Sequence, residues 1–281
     1  MDLNWNLWRD DKRVLGDISV WGGRRSNVST IYDKLNQKGR TVIVTGGYRG
    51  IGLGIVRNFA AAGADIAICG RNAEAGEKVA EELRADHVNC RFYTVDITDC
   101  VQIDNFVENV VGDFGKIDIL VNNSGITDHT AAENINVSQY DRLMNTNVRG
   151  TFFMSTAVGR HMIERQIRGS IVMVASMSAF LANIPQKQTT YNMSKAAICS
   201  MTQCLAVEWA EHGIRVNAIC PGYIQTEMLT EDLAAAWRSM TPMGHFGEVD
   251  DVGAAVLFLA SDASAYMTGS RVIMDGGYSC I

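Results

Sequence analysis

Residues 191–195 read Tyr-Asn-Met-Ser-Lys and set a phenol and an ammonium four residues apart, in a stretch whose apolar spacing predicts a helix. On a helix, residues i and i+4 share one face, with Cβ atoms about 5–6 Å apart. The chemistry such a pair can do is proton transfer. A free tyrosine has a pKa of about 10 and releases its proton poorly at neutral pH. A neighbouring cation favours the phenolate. Lowering the pKa by about 3 units needs roughly 4 kcal/mol of differential stabilisation, which a partly desolvated site can supply. A tyrosine and a lysine at this spacing are common, so the pair gains meaning only from its company. Ser176 closes the predicted strand 170–176, where its hydroxyl can bond a carbonyl oxygen. Asn147 falls in the predicted helix before that strand, where its amide can hold a water or a backbone carbonyl near Lys195.

A second constellation is the stretch TGGYRGIG at 45–52, with Gly46, Gly50 and Gly52 between a short β-branched run and a helical segment. Glycine permits positive φ in a tight turn, and its bare backbone lets N–H groups approach a phosphate. The helix start adds a partial positive charge. Strand before and helix after raise a weak glycine triplet to a dinucleotide-binding expectation. An NAD site places a carboxylate at the end of the second strand, against the ribose 2′-hydroxyl. Here that strand ends Cys-Gly-Arg-Asn at 69–72, with Gly70 where the acid is expected. Arg71 follows it and Arg49 sits inside the glycine loop. A planar guanidinium fork suits a 2′-phosphate, so the expected cofactor is NADP(H). Gly46, Arg49, Gly50, Ile51, Gly52, Arg71 and Asn72 are its candidate binding residues.

The elements that must position these groups alternate along the chain. Runs at 41–47, 64–70, 90–96, 117–125, 170–176, 214–222 and 270–277 read as strands, mostly apolar on both faces. Helical patterns lie between them. Strand–helix repetition predicts one parallel sheet covered by helices on both sides, an α/β Rossmann-type doubly wound seven-stranded sheet in a single domain over residues 40–281. Residues 1–39, with Trp5, Trp8 and Trp21, fall outside the repeat and read as an N-terminal extension. Segment 223–247 interrupts the repeat beyond the sixth strand, where substrate loops are expected.

Composition narrows the function. A net charge of −6 and no Lys/Arg run argue against a nucleic-acid or polybasic membrane role. No apolar run approaches the roughly 18 residues of a membrane span. Seven cysteines without paired spacing fit reduced thiols, and the N-terminus has no secretory pattern, so a cytoplasmic location is expected. The five histidines have no ligand spacing, and no metal site is expected.

Taken in order, TGGYRGIG, NNSG at 122–125, Asn147, Ser176, Tyr191 with Lys195, and PGYIQT at 221–226 resemble the short-chain dehydrogenase/reductase family over about residues 40–279. The family usually has alanine where Ser124 stands. The resemblance implies that Tyr191 is the general acid in reduction and base in oxidation. It further implies that Lys195 lowers the tyrosine pKa and bonds the nicotinamide ribose, Ser176 orients the carbonyl and Asn147 supports a relay water. Asp96 and Ile97 would lie beside adenine, Asn123 would line the groove, and Pro221, Ile224 and Thr226 would cradle the nicotinamide. It also implies a homotetramer, or a homodimer.

Segments 176–191, PGYIQTEM and DGGYSC resemble the polyol and ketose reductases of that family, the sorbose reductase and mannitol dehydrogenase group. Ser178, Asn183, Gln186 and Tyr223 are then substrate candidates, the amides suiting a small molecule with several hydroxyls. The expected reaction is NADPH-dependent, reversible reduction of a ketose or similar polar carbonyl to a polyol. Two alternatives stand beside it: a 3-oxoacyl or secondary-metabolite carbonyl reductase, and an NADP-binding regulatory protein. The last would be marked by a broken catalytic tetrad, whereas all four positions are filled.

Overall fold

Short runs such as Thr41–Thr45 carry β-branched residues on both faces, so burial requires cover from both sides, and helices supply it. The computed structural model describes residues 29–227, 229 and 231–281. Trp5, Trp8 and Trp21 lie outside the described residues. A short helix α1 (Ile31–Leu35) leads into β1 (Thr41–Thr45), α2 (Gly50–Ala61), β2 (Asp65–Gly70), α3 (Ala73–Ala85), β3 (Cys90–Thr94), α4 (Cys100–Phe114) and β4 (Ile119–Asn122). The second half continues with α5 (Val137–Met144), α6 (Thr151–Glu164), β5 (Ser170–Val174), α7 (Thr189–Glu208), β6 (Arg215–Pro221), α8 (Glu231–Ser239), α9 (Val249–Ala260) and β7 (Arg271–Met274). The seven strands form one sheet in the order β3-β2-β1-β4-β5-β6-β7, every pair parallel.

Alternation along each strand divides the core in two. Ile43, Leu120 and Ile171 face Phe106, Met154 and Ile198. Val42, Val44 and Ile66 face Ile55, Phe59 and Val256. The expectation of apolar residues on both faces holds for the inner strands and fails at the edges. On β3 and β7 exposed and covered positions mix, with Arg91 and Arg271 exposed. An edge strand has a neighbour on one side only, and charged side chains there discourage pairing with another chain.

Within the expected extension, Thr30 and Asp33 form a capping box that starts α1. Gln37 is fully buried, and its N–H donates to the Ala62 carbonyl at 2.9 Å, against the end of α2. The helix expected around Asn147 is not continuous. A six-residue π turn, Asn145–Gly150, separates α5 from α6. Such turns often sit at functional sites, because the extra residue re-aims a side chain.

The strand order reverses between β1 and β4. At that switch point the carboxyl ends of neighbouring strands diverge and leave a crevice. Segments 46–49 after β1, 123–127 after β4 and Ala175–Ser176 after β5 meet there.

Candidate active site

Tyr191 and Lys195 stand one turn apart at the start of α7, as their spacing requires, with the Lys195 Nζ 5.6 Å from the centre of the Tyr191 ring. Lys195 is 6% exposed, and its Nζ donates to the Val174 carbonyl at 2.8 Å. The Ser176 hydroxyl stands beside the Tyr191 phenol and favours its ionised form. Its own Oγ accepts from the Ser178 N–H at 3.1 Å, which fixes the hydroxyl at the end of β5.

The π turn gives Asn147 its position. Its Oδ1 accepts from the Ile126 N–H at 2.8 Å, and its Nδ2 donates to the Ile126 carbonyl at 2.9 Å and to Ser194 Oγ at 3.0 Å. The Ser194 hydroxyl donates in turn to the Tyr191 carbonyl at 2.7 Å. Asn147 therefore fastens the loop after β4 to the first turn of α7. The backbone group it holds is Ile126, beside Gly125, the residue at which Asn147 and Lys195 converge. A Cβ built on Gly125 would lie 3.3 Å from Asn147 Oδ1 and 3.7 Å from Lys195 Nζ.

The electrostatics correct one expectation. Burial pushes the Tyr191 phenol above its ordinary value, and the opposing effect of the Ser176 hydrogen bond is smaller. Burial also brings the Lys195 ammonium down to about 8, against the pull of the Cys220 and Cys199 thiols beside it. The protein's own groups thus hold Tyr191 as a phenol at neutral pH. The expected lowering does not arise because desolvation of the phenolate outweighs the hydrogen bond that favours it.

A cleft of about 380 Å³ runs from this pair along the carboxyl edge of the sheet. The glycine loop forms its floor. Gly46 and Gly50 have φ of +66° and +49°, the left-handed region that favours glycine. A Cβ on Gly52 would overlap the Gly46 carbonyl and the Asn123 amide. Arg49, Ile51 and Arg71 line the cleft, as do Asp96, Ile97, Asn123, Pro221 and Thr226. Two cofactor candidates do not. Asn72 caps α3, its side chain accepting from the Ala75 N–H at 3.1 Å. Ile224 is buried and bridges to Gly247.

The substrate candidates stand behind the cleft wall and bond chiefly to one another. Gln186 Nε2 donates to the Tyr223 hydroxyl at 3.0 Å, and Asn183 Nδ2 reaches the same oxygen at 3.3 Å. Gln188 Nε2 faces Asn183 Oδ1 at 2.8 Å, Asn192 Oδ1 at 2.9 Å and Ser178 Oγ at 3.2 Å. Trp237 of α8 closes the group, its indole N–H donating to Gln186 Oε1 at 2.8 Å and its ring stacked on Tyr223 at 4.4 Å.

Several cleft residues were not singled out from sequence. Tyr48, Gly222 and Glu227 lie inside motifs already quoted, so their position was available. Thr127 and Thr146 also line the cleft but carry no local signal.

Comparison with known proteins agrees with this geometry. A family profile described as enoyl-(acyl carrier protein) reductase matches residues 46–279. A short-chain type dehydrogenase/reductase of Mycobacterium marinum superposes with a TM-score of 0.88 at 36% identity, covering 90% of this chain and 100% of that one. The chain belongs to the short-chain dehydrogenase/reductase family. Within it, the chain is similar to the NADP-dependent mannitol dehydrogenase of Hypocrea jecorina, at 40% identity over 256 residues, 89% of this chain and 96% of that protein. It is 38% identical over 248 residues to a sorbose reductase of Schizosaccharomyces pombe, 86% of this chain and 96% of that protein. No helix among the described residues is long and apolar enough to cross a membrane.

Proposed function

We propose that the protein is an NADP(H)-dependent oxidoreductase that interconverts a ketose, or a similar polar carbonyl compound, and its polyol. The observation that carries this reading is Tyr191, beside Ser176 and with the Lys195 ammonium 5.6 Å from its ring centre, at the end of a glycine-floored cleft whose far side holds two arginines and no acid at residue 70. The residues present fit the dinucleotide. Gly52 leaves no room for a side chain where backbone must approach a pyrophosphate. Arg49 and Arg71, which line the cleft, would hold a 2′-phosphate, Asp96 and Ile97 would border the adenine, and Asn123, Pro221 and Thr226 would hold the nicotinamide end. When bound, the cofactor supplies or accepts the hydride.

The chain's own residues handle the oxygen and its proton. In reduction Ser176 donates a hydrogen bond to the carbonyl oxygen, and Tyr191 passes its phenolic proton to that oxygen as it becomes a hydroxyl. Lys195 stabilises the phenolate left behind. Asn147, which pins the Ile126 peptide beside Lys195, keeps that peptide in place for a water that returns the proton. In oxidation the same groups run in reverse. Relatives named mannitol dehydrogenase and sorbose reductase support a polyol substrate. A panel of ketoses and acyl thioesters, read by NADPH absorbance with NADH in parallel, is expected to give turnover with at least one ketose and a preference for NADPH. Background rates with every ketose beside rapid turnover of acyl thioesters would replace this reading with the 3-oxoacyl reductase.

We also propose that the chain works as a homotetramer. Phe152 and Phe153 on α6 are 39% and 36% exposed, and Ile273 on the edge strand β7 is 44% exposed, apolar surface that a further copy would cover. Sedimentation equilibrium is expected to return four times the 30.8 kDa chain mass, and a monomer at micromolar concentration would reject it.

A further inference from the structure

The structure assigns a role in nucleotide choice to Tyr48: we propose that its ring fills the space in which an acid on residue 70 would have to stand, and so keeps NAD(H) from being recognised. This rests on the NADP(H) reading above and explains why glycine occupies the end of β2. Gly70 lies in ordinary strand backbone without positive φ, so conformation does not demand glycine there. Space does. A Cβ built on Gly70 would overlap Cε1 of Tyr48 and lie 3.1 and 3.2 Å from its Cδ1 and Cζ. Any side chain at 70 therefore has to displace the ring.

Toward β3 the ring is not free to yield. It meets Phe92 of β3 in a T-shaped pair, 6.0 Å between centres and 87° between planes. Phe92 is itself backed by α3, where a Cβ on Gly76 would overlap three carbons of the Phe92 ring. Tyr48, Phe92 and Gly76 form a row from the cleft to the outer helix, and movement of the first member toward β3 is blocked by the other two. Tyr48, Gly70 and Arg71 all line the same part of the cleft. An NAD site needs a carboxylate at the strand end to bond the ribose 2′-hydroxyl. In this chain that place is taken by an aromatic face, and the cations on either side are left to bind a phosphate. Discrimination thus has a repulsive part as well as an attractive one.

The test combines melting with cofactor binding in Gly70→Ala, Gly70→Asp, Tyr48→Ser and the two double variants carrying Tyr48→Ser. G70A is expected to lower Tm by about 5 °C, and Y48S to restore most of that loss in the double variant, because the two changes share one space. With NADH, G70D alone is expected to stay within about threefold of the parent in Kd and kcat/KM, whereas Y48S/G70D gains at least about tenfold over G70D. Additive Tm losses in the G70A cycle would overturn the steric claim even if G70D does not fold. So would a tenfold gain with NADH in G70D alone, or no gain in the double variant. A parent protein that binds NADH as tightly as NADPH would instead remove the NADP(H) reading, while the melting cycle would still decide whether the ring and residue 70 compete.

Discussion

Tyr191→Phe is expected to lower kcat for ketose reduction by at least about a thousandfold, with the Kd for NADPH within about threefold of the parent. The change removes one oxygen and keeps the ring, so the wall of the cleft survives. What is lost is the phenolic proton donor beside Ser176, just beyond β5. Positioned acid–base groups contribute roughly 10²–10⁴-fold, and the expected loss lies in that range. Direction matters too. The raised Tyr191 pKa keeps the phenol protonated at neutral pH, the form that reduction needs. Oxidation needs the phenolate, so its rate in the parent protein is expected to climb with pH through the range in which reduction is still level. Full turnover in the phenylalanine variant, measured with fold and NADPH binding intact, would move the acid to another residue.

Lys195→Met is expected to cut turnover by about 10²–10³-fold and yet to raise the melting temperature at pH 7. Burial lowers the lysine from its ordinary 10.5 to about 8 in the folded protein. The unfolded chain therefore binds this proton more tightly than the native one, and keeping the ammonium buried costs roughly 3 kcal/mol below about pH 8. Loss of the bond to the Val174 carbonyl gives back about 2 kcal/mol. The net gain of about 1 kcal/mol corresponds to roughly 2–4 °C in a protein of this size. Because the penalty fades as pH rises from about 8 toward 10.5, the difference between variant and parent must shrink over that interval. A variant that melts lower at pH 7, or whose advantage grows with pH, would show that the ammonium is not held at a cost. A stabilised but inactive variant would place Lys195 among the residues kept for chemistry at the expense of stability.

The inner strands, the glycine loop and the Tyr191–Lys195 pair were legible in sequence because each rests on short-range regularity: alternation, φ demanded by glycine, or one helical turn. The edge character of β3 and β7 was less so, since exposure depends on which strands end up outermost. The π turn at Asn147 leaves no compositional mark. An i+5 hydrogen bond uses the same residues as an i+4 one, and the close seat of Gly150 against the Ile97 carbonyl is seen only in the fold. The rise in the Tyr191 pKa was hidden for a related reason: spacing places a cation beside the phenol, but the extent of burial is set by the whole fold. Partners distant in sequence were beyond reach altogether, as with Trp237 and Gln186, joined by a hydrogen bond across 51 residues.

Gln188 has an arithmetic consequence for whatever enters beside Ser176. Its amide nitrogen owns two hydrogens but faces three acceptors, Ser178, Asn183 and Asn192. Two of those acceptors have a second donor, Ser176 Oγ for Ser178 and Asn192 Nδ2 for Asn183, so the roles can rotate with nothing stranded. A guest hydroxyl that reached Ser178 would join a network able to re-form around it. A guest with only carbon to offer would not. A network of this kind would tolerate hydroxyls at several positions along a guest while still rewarding their presence, and a ketose panel is expected to show turnover spread over several members rather than confined to one.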